Sequence, residues 1–324
     1  MKIKAADIAR ELGISKATVS LALNNKPGVS EETRQKIKDF IQSVETGEVV
    51  HSQLRIIKVI VYGVDEDPRG RMDMFSSSYS ELSLEAKKHN LTVTLDWVNF
   101  EDLDDIVESC KNDLVAGVIL YANEMSKEEF ESFKTLNVPV IVYDNDFDDD
   151  SYSYVNSNSQ RALSKCFDHY LSIGQTNISY LANSQQNFNF NQRREAFHYF
   201  SYKHNLETKQ YILGSSIDEI CERFKELYNK EKIQVVICEN YMITIGVVKA
   251  IYELGLVFKK DIFLIGIDVV PEYMTYGYKC SFISVSHEQR AMMSFALLNR
   301  EIWNPGSEKF RVYSNCELIL QESA

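Results

Sequence analysis

Asp7-Ile8-Ala9-Arg10-Glu11-Leu12-Gly13-Ile14-Ser15-Lys16-Ala17-Thr18-Val19-Ser20-Leu21-Ala22-Leu23-Asn24 is the stretch on which the reading of the chain turns. Its first six residues have the apolar spacing of a short helix. Gly13 ends that helix, because glycine takes the left-handed conformation beyond a helix C-terminus without strain. Ser15 is placed to N-cap a second helix. That helix runs from Lys16 to Leu23, with Val19, Ala22 and Leu23 on one face. Asn24-Asn25-Lys26-Pro27-Gly28 breaks the pattern. Ser30 then caps a third helix, with Thr33 at the capping-box position. Ile37, Phe40, Ile41 and Val44 recur at i, i+3, i+4 and i+7, an apolar stripe. Three short helices with a tight turn between the first two suit a helix-turn-helix, whose second helix enters the major groove. Ser15, Thr18, Ser20 and Asn24 are short polar residues of the kind that contact phosphates. Spacing alone also admits a generic helical hairpin.

The rest of the chain differs in charge. Residues 1–42 hold eight Lys/Arg and five Asp/Glu, whereas the remainder holds 27 and 42. A small basic head on an acidic body is the balance expected of a DNA reader with a separate sensor domain. The net charge of −12 excludes a chain that coats nucleic acid over its whole surface. The 324 residues allow two or three domains, at roughly 100–200 residues each. Hydrophobic residues at 44 % and charged residues at 25 % are ordinary for a folded globular chain. No apolar run reaches the roughly 18–20 residues of a membrane-spanning helix. Lys2, Lys4 and Asp7 stand where a signal peptide needs its apolar stretch. The expected location is therefore the cytoplasm, with no membrane partner. The six cysteines are far apart and form no CxxC, which excludes a zinc ribbon or thioredoxin-like motif and predicts small buried apolar residues.

From Ile56 onward short apolar runs alternate with helical stretches. Strands are expected at 56–62, 92–96, 115–121, 138–143, 178–182, 235–238 and 262–267. Helices are expected at 77–89, 101–111, 126–136, 158–173, 192–205, 216–229 and 242–254. Continuous Val/Ile-rich strands between helices imply parallel sheets covered on both faces. The series pauses at 144–157, a polar stretch without helical period. Two doubly wound subdomains are the economical solution, with crossovers near 153–157, 283–287 and 308–312. Ligands in such folds bind beyond the carboxyl ends of the strands.

The head resembles that of LacI/GalR-type transcriptional regulators. Asp7-Ile8-Ala9, Gly13-Ile14-Ser15-Lys16-Ala17-Thr18-Val19-Ser20, Leu23-Asn24 and Val29-Ser30-Glu31-Glu32-Thr33-Arg34 carry the likeness almost residue for residue. The resemblance implies that Lys16 and Ala17 open the recognition helix and face base edges. It implies phosphate-contacting or capping roles for Thr18, Ser20, Asn24 and Ser30. Leu21 replaces an arginine that usually reads a base. A leucine touches a thymine methyl but cannot bond guanine, so the operator should differ there. The likeness fails at 43–55, where neither a Tyr-x-Pro-Asn segment nor an Ala-Arg-Ser-Leu hinge is present. A flexible tether is the expectation for that stretch, with Val49-Val50 as the alternative minor-groove wedge.

The body is similar to the periplasmic-binding-protein-like body of the same regulators. Arg193-Arg194-Glu195-Ala196-Phe197 resembles an Arg-x-x-Gly-Phe pattern, which implies that Arg193 holds effector hydroxyls or an anionic group. Ile265-Gly266-Ile267-Asp268 resembles Val-Gly-Phe-Asp and implies that Asp268 accepts from the effector. Cys238-Glu239-Asn240-Tyr241 resembles Ala-x-Asn-Asp, with Asn240 kept and Tyr241 in place of the acid. Phe75 aligns with an aromatic at the cleft mouth. Asp144 matches a family aspartate, and Trp97 is a further cleft candidate.

Other chemistry is excluded. Asp144-Asn145-Asp146-Phe147-Asp148-Asp149-Asp150 has the first spacings of a calcium loop, but Asp149 occupies the glycine position and Val155 the required glutamate. A solvated acidic loop is expected. No phosphate-binding loop, nucleophile elbow or His-Glu-x-x-His is present, and the six histidines show no ligand pairing. No catalytic constellation, metal site or cofactor site follows.

The resulting expectation is an α/β chain in three parts. Residues 1–45 form a helix-turn-helix domain, and 46–55 a shortened linker. Residues 56–324 form an effector-binding and dimerisation domain. Its first subdomain takes about 56–154 plus 286–309, and its second about 155–285 plus 310–324. The expected function is a ligand-responsive, homodimeric repressor of double-stranded operator DNA, with a carbohydrate effector and no enzymatic activity. The alternatives are a cytoplasmic solute sensor with a vestigial head, or a DNA-binding regulator controlled by a protein co-regulator.

Overall fold

The computed structural model describes residues 5, 8, 9, 12–45, 55–63 and 69–324, with the side chains of 42–45 and 69–77 left out of the description. The expectations for the linker at 46–54 and for the side chain of Phe75 lie outside those residues.

In the head, residues 5, 8 and 9 are helical, followed by helices Lys16–Leu23 and Glu31–Glu45. Gly13 takes φ +62° between the first two, as a left-handed stop requires. Ser15 caps the second helix, its Oγ accepting from the Thr18 N–H at 3.0 Å. Ser30 does the same for the third through the Thr33 N–H at 3.2 Å. Ile8, Ala9, Val19, Ala22 and Ile37 form the head's small buried core. Arg34 pins the turn after the Lys16–Leu23 helix by donating to the carbonyls of Ala22 and Lys26 and to Asn25 Oδ1.

Among the described residues the body contains two six-stranded sheets. The first joins β1(Arg55–Tyr62), β2(Leu91–Val98), β3(Val115–Tyr121), β4(Val140–Tyr143), β5(Ser153–Ser157) and β11(Arg311–Ser314) in the order β11-β5-β4-β3-β1-β2, all parallel. The second joins β6(Ile178–Asn183), β7(Lys209–Gly214), β8(Val235–Cys238), β9(Phe263–Ile267), β10(Ser281–Ser284) and β12(Glu317–Ile319) in the order β12-β10-β9-β8-β6-β7. Among the described strands only β12 runs antiparallel to its neighbour, β10. Every residue of β3, β4, β6 and β8 is buried, as central parallel strands with helices on both faces must be. All six cysteines are buried and free.

Three departures from the sequence reading have identifiable causes. The polar pause at 144–157 contains β5, all five residues of which are buried. Its polar side chains are satisfied internally, Ser153 Oγ donating to Glu301 Oε1 at 2.5 Å and Asn156 Nδ2 to the Asn145 carbonyl at 3.0 Å. The helix His287–Trp303 carries buried Arg290, Ser294 and Glu301 among its apolar residues, which masks its period. It packs on β3, β4 and β5 and belongs to the first subdomain. Finally, Arg311–Ser314 returns to the first sheet beside β5 instead of joining the second. Arg311 is held there by Asp146 at 2.9 Å and Asp150 at 2.5 Å. The crossovers therefore fall at 157–159, 284–287 and 314–317, and residues 311–314 belong to the first subdomain. The acidic loop is cross-tied by Arg311, and by Lys134 on Asp149 at 3.0 Å, rather than merely solvated.

Candidate functional site

Two regions gather the residues singled out in the sequence. The first is the outer face of helix Lys16–Leu23. Val19 and Ala22 are buried against the other two helices, so the opposite face is turned outward. Lys16, Ala17, Ser20 and Asn24 are exposed, and Thr18 and Leu21 are half-buried. The helix carries no acidic residue in its first turn, where one would repel a phosphate. Some of the expected polar contacts are already engaged within the head. Ser15 Oγ and Thr18 Oγ1 lie 2.8 Å apart, and Asn24 Nδ2 donates to the Ser20 carbonyl at 2.7 Å. Ser30 Oγ lies 2.8 Å from Thr33 Oγ1. Ser15 and Ser30 are thus caps first, and Lys16 and Ala17 are presented outward, with Ser20 exposed beside them and its Oγ accepting from Asn24 Nδ2 at 3.4 Å.

The second region lies between the two subdomains, beyond the carboxyl ends of their strands. Asn123, just past β3, reaches the opposite subdomain at the start of helix Phe188–Lys203. Its carbonyl accepts from the Phe188 N–H, and its Oδ1 from the Asn189 N–H, each at 3.2 Å. Arg193 lies one turn into that helix, buried, and donates from Nη1 to the Glu239 carbonyl at 2.7 Å. Its neighbour Arg194 forms a buried ion pair with Glu239, at 2.7 Å from Nε and 2.8 Å from Nη2. Burial pushes the Glu239 carboxyl up, against the pull of Arg194. Asn240 N-caps helix Tyr241–Leu254, its Oδ1 accepting from the Ile243 N–H at 2.9 Å. Tyr241 opens the same helix, half-buried.

Asp144 and Asp268 follow β4 and β9, at φ +61° and +84°. Asp144 is bound to the fully buried guanidinium of Arg290, which also lies 4.5 Å over the Tyr143 ring. Asp268 accepts from the Val269 N–H at 3.1 Å and meets His287 Nε2 at 2.9 Å. Burial drives the Asp268 carboxyl up, but the hydrogen bonds it accepts from His287 and the Val269 N–H, with the nearby Arg193 charge, hold it below the usual carboxylate range. It is ionised at neutral pH.

The structure thus places Asp144 and Asp268 just past the ends of β4 and β9, linked through Arg290 and His287, with Arg193 close enough for its charge to act on Asp268 and bonded to the Glu239 carbonyl that precedes Asn240 and Tyr241. Trp97 lies on β2, packed against the first subdomain's core. His287, Arg290, Asn123 and Glu239 were missed as site residues. For Glu239 a signal existed, since it sits between two residues the sequence singled out.

Residues 4–45 match the family model described as bacterial regulatory proteins, lacI family. The probable HTH-type transcriptional repressor ExuR of Bacillus subtilis (strain 168) is 24 % identical, over 98 % of this chain and 97 % of its own. The Lac repressor dimer bound to operator and the anti-inducer ONPF shares the fold, with a TM-score of 0.69 and 16 % identity over 100 % of this chain and 99 % of that one. A cellobiose complex of the transcriptional regulator CelR also has a TM-score of 0.69, with 14 % identity over the full length of both chains.

Proposed function

We propose that this chain, a member of the LacI/GalR family of bacterial regulators, represses transcription as a homodimer whose two heads read a pseudo-palindromic operator. It is a ligand-responsive DNA-binding regulator, not an enzyme. The observation that carries the assignment is the lacI-model head, with Lys16, Ala17 and Ser20 exposed on a helix whose other face is buried. In the groove, Lys16 and Ala17 meet base edges, Thr18, Ser20 and Asn24 lie along phosphates, and Leu21 contacts a thymine methyl. Ser15 and Ser30 fix the helix ends that make this docking possible. A single head covers too few base pairs for useful specificity, which is why two are needed.

The cleft is the effector site. Arg193 and Asp268 supply a donor and an acceptor to ligand hydroxyls, Tyr241 adds a ring beside them, and Asn240 and Asp144 shape the walls. The effector is a carbohydrate, a reading supported by the likeness to the transcriptional regulator CelR, whose structure is a complex with cellobiose. Its effect on DNA affinity is limited to its differential affinity for the two subdomain arrangements. Among the described residues no helix is long and apolar enough to cross a membrane, and the proposed location is cytoplasmic. The proposed domain limits are 1–45 for the head and 55–324 for the body, with the subdomains exchanging at the three crossovers.

Selection of bound duplexes from a random pool by the full-length protein tests the DNA reading. The expected product is an inverted repeat with thymine rather than guanine opposite Leu21. Recovery of sequences with no shared repeat contradicts it. Calorimetry against a saccharide panel tests the cleft. Binding abolished by Arg193→Ala and Asp268→Ala is expected, and binding unaffected by both removes the cleft assignment.

A further inference from the structure

Asp144 and Asp268 hold corresponding places in the two halves of the body. Each follows a central strand of its sheet, and each takes a left-handed backbone that a residue other than glycine seldom adopts. Both are joined to the first turn of one helix, His287–Trp303, which starts at the crossover between the subdomains. Arg290 binds Asp144 in the first subdomain and His287 binds Asp268 in the second. The two partners also touch each other, His287 Nδ1 lying 3.2 Å from Arg290 Nη2. A continuous polar path therefore runs from one sheet to the other through four side chains.

The donors and acceptors along it fix the state of the imidazole. A guanidinium has five N–H donors, no acceptor, and remains protonated in proteins. The ring nitrogen facing it must accept, so Nδ1 bears no proton. An ionised carboxylate only accepts, so Nε2, facing Asp268, carries the ring's hydrogen. His287 is neutral in this arrangement, and its tautomer is set by its two neighbours. The groups packed around it are consistent with this. Arg290 is anchored by its Nε donating to the Val285 carbonyl at 2.9 Å, and the Tyr143 hydroxyl donates to the His287 carbonyl at 3.5 Å. Arg193, from helix Phe188–Lys203, supplies a positive charge felt by Asp268. The His287 side chain stays 30 % exposed, so it borders the cleft instead of being sealed beneath it.

We propose that His287 is the positioning residue of the effector cleft: as a neutral Nε2–H imidazole it orients the Asp268 carboxylate for ligand hydroxyls and ties it, through Arg290, to Asp144 of the other subdomain. The inference rests on the cleft being the effector site, but the relay itself does not require an effector to be present. Its consequence is mechanical. A ligand that draws on Asp268 acts on a group braced from the opposite subdomain, so occupancy and closure are coupled through one ring.

Long-range 1H–15N correlation on the full-length chain labelled with 15N-histidine reads the tautomer directly, the His287 signals being those absent from His287→Gln. The expected spectrum at pH 7.5 has a protonated Nε2 and a bare Nδ1. A protonated Nδ1, or a ring averaged between tautomers, overturns the proposal. The positioning role is read by amide exchange across 266–270. A glutamine offers an oxygen to Arg290 and an N–H to Asp268, whereas alanine offers neither. His287→Ala should speed exchange there at least tenfold, and His287→Gln should stay within twofold of the parent. Equal exchange in the two variants overturns the role. If His287→Ala does not fold, the spectrum of the parent protein still decides. Loss of all saccharide binding with both readouts as expected contradicts the effector assignment and leaves the relay standing.

Discussion

The recognition surface of the head and the floor of the cleft use polar residues in opposite ways. On helix Lys16–Leu23 the presented side chains are exposed, and the buried ones are apolar. In the cleft the polar groups are buried and already engaged. Asp144 is paired with Arg290, Asn240 caps a helix, Arg193 donates to the Glu239 carbonyl, and Asp268 accepts from Val269 and His287. A surface that meets a polyanion gains from unsatisfied donors held in water until contact. A cleft closed between two subdomains cannot leave charges unpaired, because an uncompensated buried charge is strongly destabilising. Function and stability are therefore separable in the head and coupled in the cleft.

The sharpest contrast should come from Arg290→Ala. It leaves Asp144 without its buried partner, and a loss of about 3–5 kcal/mol is expected in urea unfolding. An unchanged midpoint would break the comparison at its strongest point. Lys16→Ala should do the reverse. It should cost about 1–3 kcal/mol of operator affinity, measured by fluorescence anisotropy, while shifting unfolding by less than about 0.5 kcal/mol. Asn240→Ala removes an N-cap and should destabilise the body by about 1 kcal/mol, with Asn240→Ser recovering most of it. If alanine and serine melt alike, the side chain is not acting as a cap.

The smallest effect concerns pH. The folded carboxyl of Asp268 lies below its usual value. A depressed carboxyl contributes stability above the unfolded value, near 3.8, and that contribution is lost as pH falls through the folded value. The stability difference between the parent and Asp268→Asn should shrink as pH falls below about 4, where the carboxylate contribution is lost. A difference that grows below about pH 4 would reverse the sign assigned to this group.

The head was legible because its signals are local. A cap and its target are three residues apart at Ser15 and Thr18 and again at Ser30 and Thr33, and Gly13 marks its own stop. Most of the body's parallel strands were legible as continuous apolar runs. What escaped was set by distant partners. The β5 strand reads as polar because Ser153 and Asn156 are satisfied by Glu301 and Asn145. The β7 strand is a partly exposed edge. In the cleft, Asp144 and Asp268 could be placed at strand ends, but Arg290 is 146 residues from the first and His287 is 19 from the second. No spacing rule joins them. The helix that carries both is also the one whose period is obscured by its buried polar residues.

Titration of the full-length protein against a labelled fragment of its own upstream promoter, beside a scrambled duplex of equal length at moderate salt, bears most directly on the claim that the exposed face beginning at Lys16 reads DNA. A preference of at least about a thousandfold for the promoter is expected, falling toward the scrambled value in Lys16→Ala. Equal affinity for the two duplexes, by a protein shown to be folded and dimeric and whether or not saccharides are added, would contradict the account.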